Sequence, residues 1–131
     1  CGRRGCVEAY ASGTGLVGRY LDRTGKSVSE AEALFAAASA GDQEAARVIR
    51  EASVALGEGL ANLAMAYNPD VIVLSGGMAA RWDELVAPAV AHMKSAGLQA
   101  NLEEVRVLRA NIGDAAGLYG AAISAMDMVR R

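Results

Sequence analysis

The sequence predicts an α/β fold in which several helices pack against a small parallel sheet. Three observations lead there. Just over half of the 131 residues are apolar, and these are mostly Ala, Val and Leu with few aromatics, a composition suited to packed helices. A long segment beginning at Asp42 repeats apolar residues every three or four positions. Two short apolar runs, at 71–74 and 105–108, flank a helical segment, which makes a β-α-β unit expected to be parallel and right-handed.

Taken in order, residues 7–21 read as a helix carrying Tyr10, Val17 and Leu21, weakened by Gly13, Gly15 and Gly18. A polar break with Gly25 follows. Ser29-Glu30-Ala31-Glu32 matches a capping box, in which the serine hydroxyl takes the amide of Glu32 while Glu32 reaches back. A short helix to about Ala40 should end at Gly41. Asp42 caps the next and longest helix, whose buried face is read as Ile49, Ser53, Leu56, Leu60, Leu63 and Tyr67, and Asn68-Pro69 stops it.

The run Val71-Ile72-Val73-Leu74 is a strand of the kind covered on both faces. Ser75-Gly76-Gly77 turns the chain into a segment from Trp82 to Ala96, with Pro88 in the first turn of its main helix and Gly97 at its end. A second strand at 105–108 precedes a last helix opened by Gly113 and capped by Asp114. That helix has a face of small residues, Gly117, Gly120, Ala121 and Ser124. Two parallel strands alone leave long unpaired edges, so further strands are expected from elsewhere, upstream sequence being the simplest source.

Composition narrows the function. The net charge is −2 and no run of Lys or Arg forms a basic stripe, so the electrostatic footprint of a nucleic-acid binder is missing from this segment. Nothing approaches the roughly 18–20 consecutive apolar residues of a membrane span, and no signal-peptide pattern is present. Two cysteines without extracellular hallmarks point to a reducing cytoplasm.

The residues able to carry chemistry are few. Cys1 and Cys6 bracket a glycine-supported turn, spaced C-x4-C, with Glu8 two residues beyond. This is half of a metal knuckle, since structural zinc takes four ligands; free thiols or a short disulfide are the other readings. His92, the sole histidine, sits far along the chain and reads as a surface or groove residue rather than a ligand. Gly76, Gly77 and Met78 follow a strand, where glycines let a nucleotide approach the backbone, although a tight structural turn accounts for them as well. Glu8 could charge-stabilise a helix end or accept hydrogen bonds from a hydroxylated ligand. Neither a P-loop nor a G-x-G-x-x-G fingerprint occurs.

Together, Cys1-Gly2-Arg3-Arg4-Gly5-Cys6-Val7-Glu8 and Ser12-Gly13-Thr14-Gly15-Leu16 resemble the signature of the ROK family (repressors, open reading frames and sugar kinases), C-x-C-G-x-x-G-C-x-E followed by a small pair. Cys1 and Cys6 match the second and third cysteines, Glu8 the acid. The stretch from Asn68 to Met78 resembles the family's strand and glycine turn on the nucleotide side, with Ser75 where many members carry Gly. The stretch from Ile112 to Ala122 resembles its closing helix.

The resemblance implies that residues 1–131 are part of the C-terminal lobe of an actin-like ATPase (ribonuclease H-like) fold, with the N-terminal lobe and the first strands of this lobe lying upstream. It implies an ATP-dependent hexose kinase, glucokinase-like, or alternatively the sugar-sensing lobe of a repressor whose DNA-binding domain would lie upstream. Implied roles are Cys1 and Cys6 for a structural Zn2+ completed upstream, Glu8 for sugar, and Gly76, Gly77 and Met78 for ATP, which acts with Mg2+. The catalytic base and the first phosphate loop would precede residue 1, so the chain alone is expected to be inactive. A cytoplasmic homo-oligomer is expected, with hexose and ATP as its partners.

Overall fold

The computed structural model describes residues 5–95, 102, 104–111 and 115–129. Cys1, Gly97, Gly113 and Asp114 lie outside the described residues. The described elements run α1 (Val7–Ala11), α2 (Gly13–Thr24), α3 (Ala31–Ser39), α4 (Gln43–Tyr67), β1 (Val71–Leu74), a 3-10 turn (Gly77–Ala80), a π-helical turn (Trp82–Val86), α5 (Ala87–Ser95), β2 (Arg106–Arg109) and α6 (Ala116–Val129).

The first expected helix is two helices. Ser12 takes extended backbone angles and its hydroxyl accepts the amide of Gly15 at 3.0 Å, so it closes α1 and caps α2 at once. Capping here outweighs continuation, because the hydroxyl satisfies one amide that a helix start leaves orphaned. α2 then runs past the expected break to Thr24, and Gly25 ends it in the left-handed region at φ 68°. The capping box at Ser29 does not form. The helix begins one residue later than a box requires, with Glu30 at the cap and no side-chain cap bond, which leaves Ser29 and Glu32 exposed.

α4 is the spine. Asp42 caps it as expected, one carboxylate oxygen accepting the amides of Glu44 and Ala45 at 3.0 Å each. Its buried face includes Ile49, Ser53 and Leu60 but is widened by Ala45, Val48, Ala52, Gly57, Ala61 and Ala64. Leu63 and Tyr67 are exposed instead, although Ala64 between them is buried. One core packs Leu16 and Tyr20 of α2 and Leu34 and Phe35 of α3 on Val48, Ile49 and Leu85. A second packs Leu60 and Ala64 on Met93, Leu102 and Val105, with Ile72, Leu74 and Val107 of the sheet against it. Leu56 touches both.

β1 and β2 are parallel, with Ile72 opposite Val107 and Val73 opposite Leu108. β2 lies one residue later than the sequence indicates, and the coverage of β1 differs too. Val73 is 59% and Leu108 45% exposed, so one face of this sheet has no cover among the described residues. The small-residue face of α6 is exposed as well. No helix among the described residues is long and apolar enough to cross a membrane.

The second oxygen of Asp42 accepts the Tyr20 hydroxyl at 2.7 Å, tying α2 to the start of α4. That bond first, then the amides of Ala45 and Glu44, holds the Asp42 carboxyl below its ordinary value. The same bond, with burial, pushes the Tyr20 phenol up. A carboxyl lowered on folding binds fewer protons folded than unfolded, so its stabilisation is present above about pH 4 and is lost as pH falls through the lowered value. Tyr20→Phe should therefore flatten the acid limb of a stability-against-pH curve, measured by urea unfolding between pH 2 and 6; an unchanged limb would remove Asp42 as its source.

Candidate functional site

The turn that joins β1 to the following helices supplies the first part of the site. Gly76 has φ 94°, a conformation that side-chain-bearing residues rarely adopt, so the turn itself demands a glycine there. Gly77 is different. Its backbone is ordinary, and a Cβ built on it would meet nothing within 4 Å. The absence of a side chain at Gly77 leaves open space that the fold does not use.

Gly77 lines a cleft of about 640 Å³ together with Met78, with Gly13, Thr14, Val17 and Gly18 of α2, and with Ser29, Glu30, Ala31 and Glu32 at the start of α3. Its size falls within the roughly 300–1,000 Å³ of small-molecule sites. Met78 is half-buried and packs on the first core. A Cβ on Gly13 would lie 3.6 Å from Ala31 and 3.9 Å from the Met78 sulfur, so α2 meets both other walls there. Gly76 and Gly77 also edge a smaller hollow of about 140 Å³ at the carboxyl ends of both strands, with Arg109 and Ala110.

Glu8 lies on the other side of α2. It is exposed in the first turn of α1 and lines a hollow of about 410 Å³ with Cys6, Ser12, Thr14, Gly18, Arg19 and Asp22. Thr14 and Gly18 border this hollow and the larger cleft alike, so the first turns of α2 separate the two. The α1–α2 corner is tight: a Cβ on Gly15 would lie 2.6 Å from the Ala9 carbonyl oxygen and 2.8 Å from that of Glu8. Arg19 stacks 4.0 Å over the Tyr10 ring and pairs with Glu51, pinning α1 to α2 and α4.

The structure therefore brings Gly77 and Met78 together, with Gly76 in the turn beside them and Glu8 across one helix turn. Cys6 is a free thiol directly before α1, and among the described residues no three His, Cys, Asp or Glu side chains cluster as metal ligands. His92 is half-buried, with Nε2 bonded to Glu58 Oε1 at 2.8 Å. Sequence reasoning missed Gly13, Thr14, Ser29 and Glu30 as cleft walls. The Ser12-Gly13-Thr14-Gly15 run was the signal for the first pair; the second pair was masked by its likeness to a capping box.

The ROK family profile matches residues 1–128. The chain belongs to the ROK family. Among ROK relatives, a glucokinase of Halalkalibacterium halodurans is 32% identical over 92% of this chain. An N-acetylmannosamine kinase of Yersinia pestis is 35% identical over 94% of it. The chain spans about 40% of the length of these curated relatives. The ROK hexokinase structure from Thermus thermophilus superposes with a TM-score of 0.79 at 33% identity, covering 100% of this chain and 44% of its own. A ROK family glucokinase from Streptomyces griseus, solved in complex with glucose and AMPPNP, gives 0.71 at 30% identity over 93% of this chain and 45% of its own.

Two glycines of α2 offer an internal control on the corner that carries Glu8. Gly15→Ala forces Cβ into backbone carbonyls that cannot swing aside, and should cost about 1–3 kcal/mol. Gly18→Ala meets nothing within 4 Å and should gain up to about 1 kcal/mol of helix propensity. Urea titrations of both variants report this, and equal stabilities would mean that the corner is loose.

Proposed function

We propose that this chain is part of the C-terminal lobe of an ATP-dependent hexose kinase of actin-like (ribonuclease H-like) fold, glucokinase-like in its substrate. Sugar is bound at Glu8, and the nucleotide lies along Gly76, Gly77 and Met78. The observation that carries this reading is the pair of hollows flanking the first turns of α2, with Thr14 and Gly18 common to both. Phosphoryl transfer depends on holding donor and acceptor side by side in line, and little else is asked of the protein. Two adjacent sites divided by one helix turn suit that requirement.

Each side has a fitting chemistry. The exposed Glu8 carboxylate accepts hydrogen bonds from sugar hydroxyls. The cleft offers the Met78 thioether and Val17 for a flat apolar base, and Thr14, Ser29 and Glu30 for ribose hydroxyls. Gly77 gives the phosphates close access to the backbone. The base that takes the sugar hydroxyl proton, and the groups that hold Mg2+, belong to the remaining length of the protein. The open face of the sheet at Val73 and Leu108 and the exposed apolar residues of α6 favour an incomplete lobe. The relatives named above are kinases, which favours this reading over a sugar-sensing repressor lobe.

Glu8→Gln should raise the sugar KM about tenfold or more, the loss expected for a hydrogen bond to a charged acceptor, with the ATP KM nearly unchanged. Gly77→Val should do the reverse, since Gly77 lines the cleft and a Cβ there meets no protein atom within 4 Å. Steady-state kinetics of the full-length protein with glucose and N-acetylmannosamine test both; if either variant moved both constants together, the two-sided site would be wrong.

Cys1 and Cys6 are proposed to give thiolates to a structural zinc whose other ligands lie outside this chain. Cys6 immediately precedes α1, so such a site would anchor the helix that bears Glu8. Zinc content of the full-length protein should fall in Cys6→Ser, and equal zinc in both proteins would end that assignment.

A further inference from the structure

The short helix that carries Glu8 is held differently at its two ends. At the far end the Arg19 guanidinium lies 4.0 Å over the Tyr10 ring, and Arg19 pairs with Glu51 of α4. The Ser12 amide donates to the Glu8 carbonyl oxygen at 3.1 Å. The Ala9 carbonyl stacks on Gly15 so closely that a Cβ there would lie 2.6 Å from its oxygen. At the near end α1 meets α4 through Val7. A Cβ on Gly59 would lie 3.0 Å from Val7 Cγ2, 3.7 Å from its Cγ1 and 3.9 Å from its Cβ.

Gly59 differs from its neighbour Gly57 in what it faces. Gly57 is buried, and its missing Cβ would strike the Ala89 carbonyl oxygen, a backbone atom that cannot swing aside. Gly59 is half-exposed, and all three atoms nearest to its absent Cβ belong to the Val7 side chain. Its backbone is not in the positive-φ region, and it lies inside α4, where alanine is the better helix former. Neither a turn nor the core asks for glycine at this position; the seat of α1 does.

We propose that Gly59 is a positioning residue for the sugar acid: having no side chain, it lets Val7 seat on α4 and so fixes the aim of Glu8, the next residue. The proposal rests on the reading of Glu8 as the residue that binds sugar. With the far end of α1 pinned, a Cβ at Gly59 would displace Val7 by a few tenths of an ångström and tilt the first turn about the Gly15 corner, Glu8 with it. The facing walls of the hollow, Ser12, Thr14, Gly18 and Arg19, belong to α2 and its cap and keep their places. Hydrogen bonds weaken steeply as distance and angle depart from their optimum, so a misaimed carboxylate loses sugar affinity. The nucleotide cleft, on the other side of α2, is left as it was.

The test is steady-state kinetics of the full-length protein with glucose and ATP. Gly59→Ala should raise the glucose KM about threefold to tenfold, with kcat and the ATP KM changed by less than about twofold. Val7→Ala removes both Cγ atoms that face Gly59, so the double variant should return to within about twofold of Val7→Ala alone. In a Glu8→Gln background, Gly59→Ala should add less than about twofold, because its effect passes through Glu8. A glucose KM unmoved by Gly59→Ala overturns the proposal, and a lowered thermal midpoint beside it would make Gly59 a packing residue alone. Absence of rescue by Val7→Ala, or full additivity with Glu8→Gln, overturns it as well. Glu8→Gln by itself decides the reading of Glu8: if it moves the glucose KM while Gly59→Ala does not, that reading stands and only the positioning falls.

Discussion

Two glycines in the middle of α4 set the distance at which the rest of the chain packs. A Cβ at Gly57 would lie 2.6 Å from the Ala89 carbonyl oxygen and 3.0 Å from the His92 ring, so α5 crosses there almost in backbone contact. At Gly59 it would lie 3.0 Å from Val7, the first residue of α1. A glycine inside a helix costs roughly 0.5–1 kcal/mol relative to alanine. Here that cost is offset by the two helices it admits. One side of α4 takes α5 and with it the second core; the other takes α1 and with it Glu8. The bond from His92 to Glu58 belongs to this same crossing, which explains the lone histidine without any metal.

Because α4 is held on both sides, the candidate site inherits rigid walls. α2 is fixed to α4 through Tyr20 and Asp42 and through the arginines gathered on Glu51, while α3 closes the first core beneath it. Met78 extends from the turn after β1 into that core, so the wall of the cleft it forms is anchored rather than draped. Arg81, stacked 4.3 Å over Phe35 and paired with Glu84, secures the end of the same turn. A site whose walls belong to a packed core keeps its geometry better than one built on loops alone.

The apolar surface tells the complementary story. Leu118, Tyr119, Ile123, Met126 and Met128 on α6 are all exposed, and so is one face of the two-stranded sheet. Exposed apolar residues gathered on one element are a mark of an interaction surface. The chain spans about 40% of its curated relatives, and the proposed lobe assignment places the missing cover in the rest of that length.

Local physics was legible in the residues themselves. Asp42 as a cap, Gly41 and Asn68 as helix ends, the apolar run from Val71 to Leu74 and its parallel pairing follow from side-chain and backbone preferences that act over a few positions. The resemblance to the family implied Glu8 for sugar and Gly76, Gly77 and Met78 for the nucleotide. What the sequence could not decide was everything that depends on a neighbour from elsewhere in the chain. Ser12 could have sat inside a helix; the close stacking of α1's carbonyls on Gly15 made it a corner. Ser29 and Glu32 had the spacing of a capping box, but the fit of Ala31 against α2 started the helix one residue later and left both on a cleft wall. Of the two adjacent glycines, only the folded backbone shows that Gly76 is the one held at positive φ. Short-range rules specify elements, whereas the spaces between elements exist only once the helices have packed.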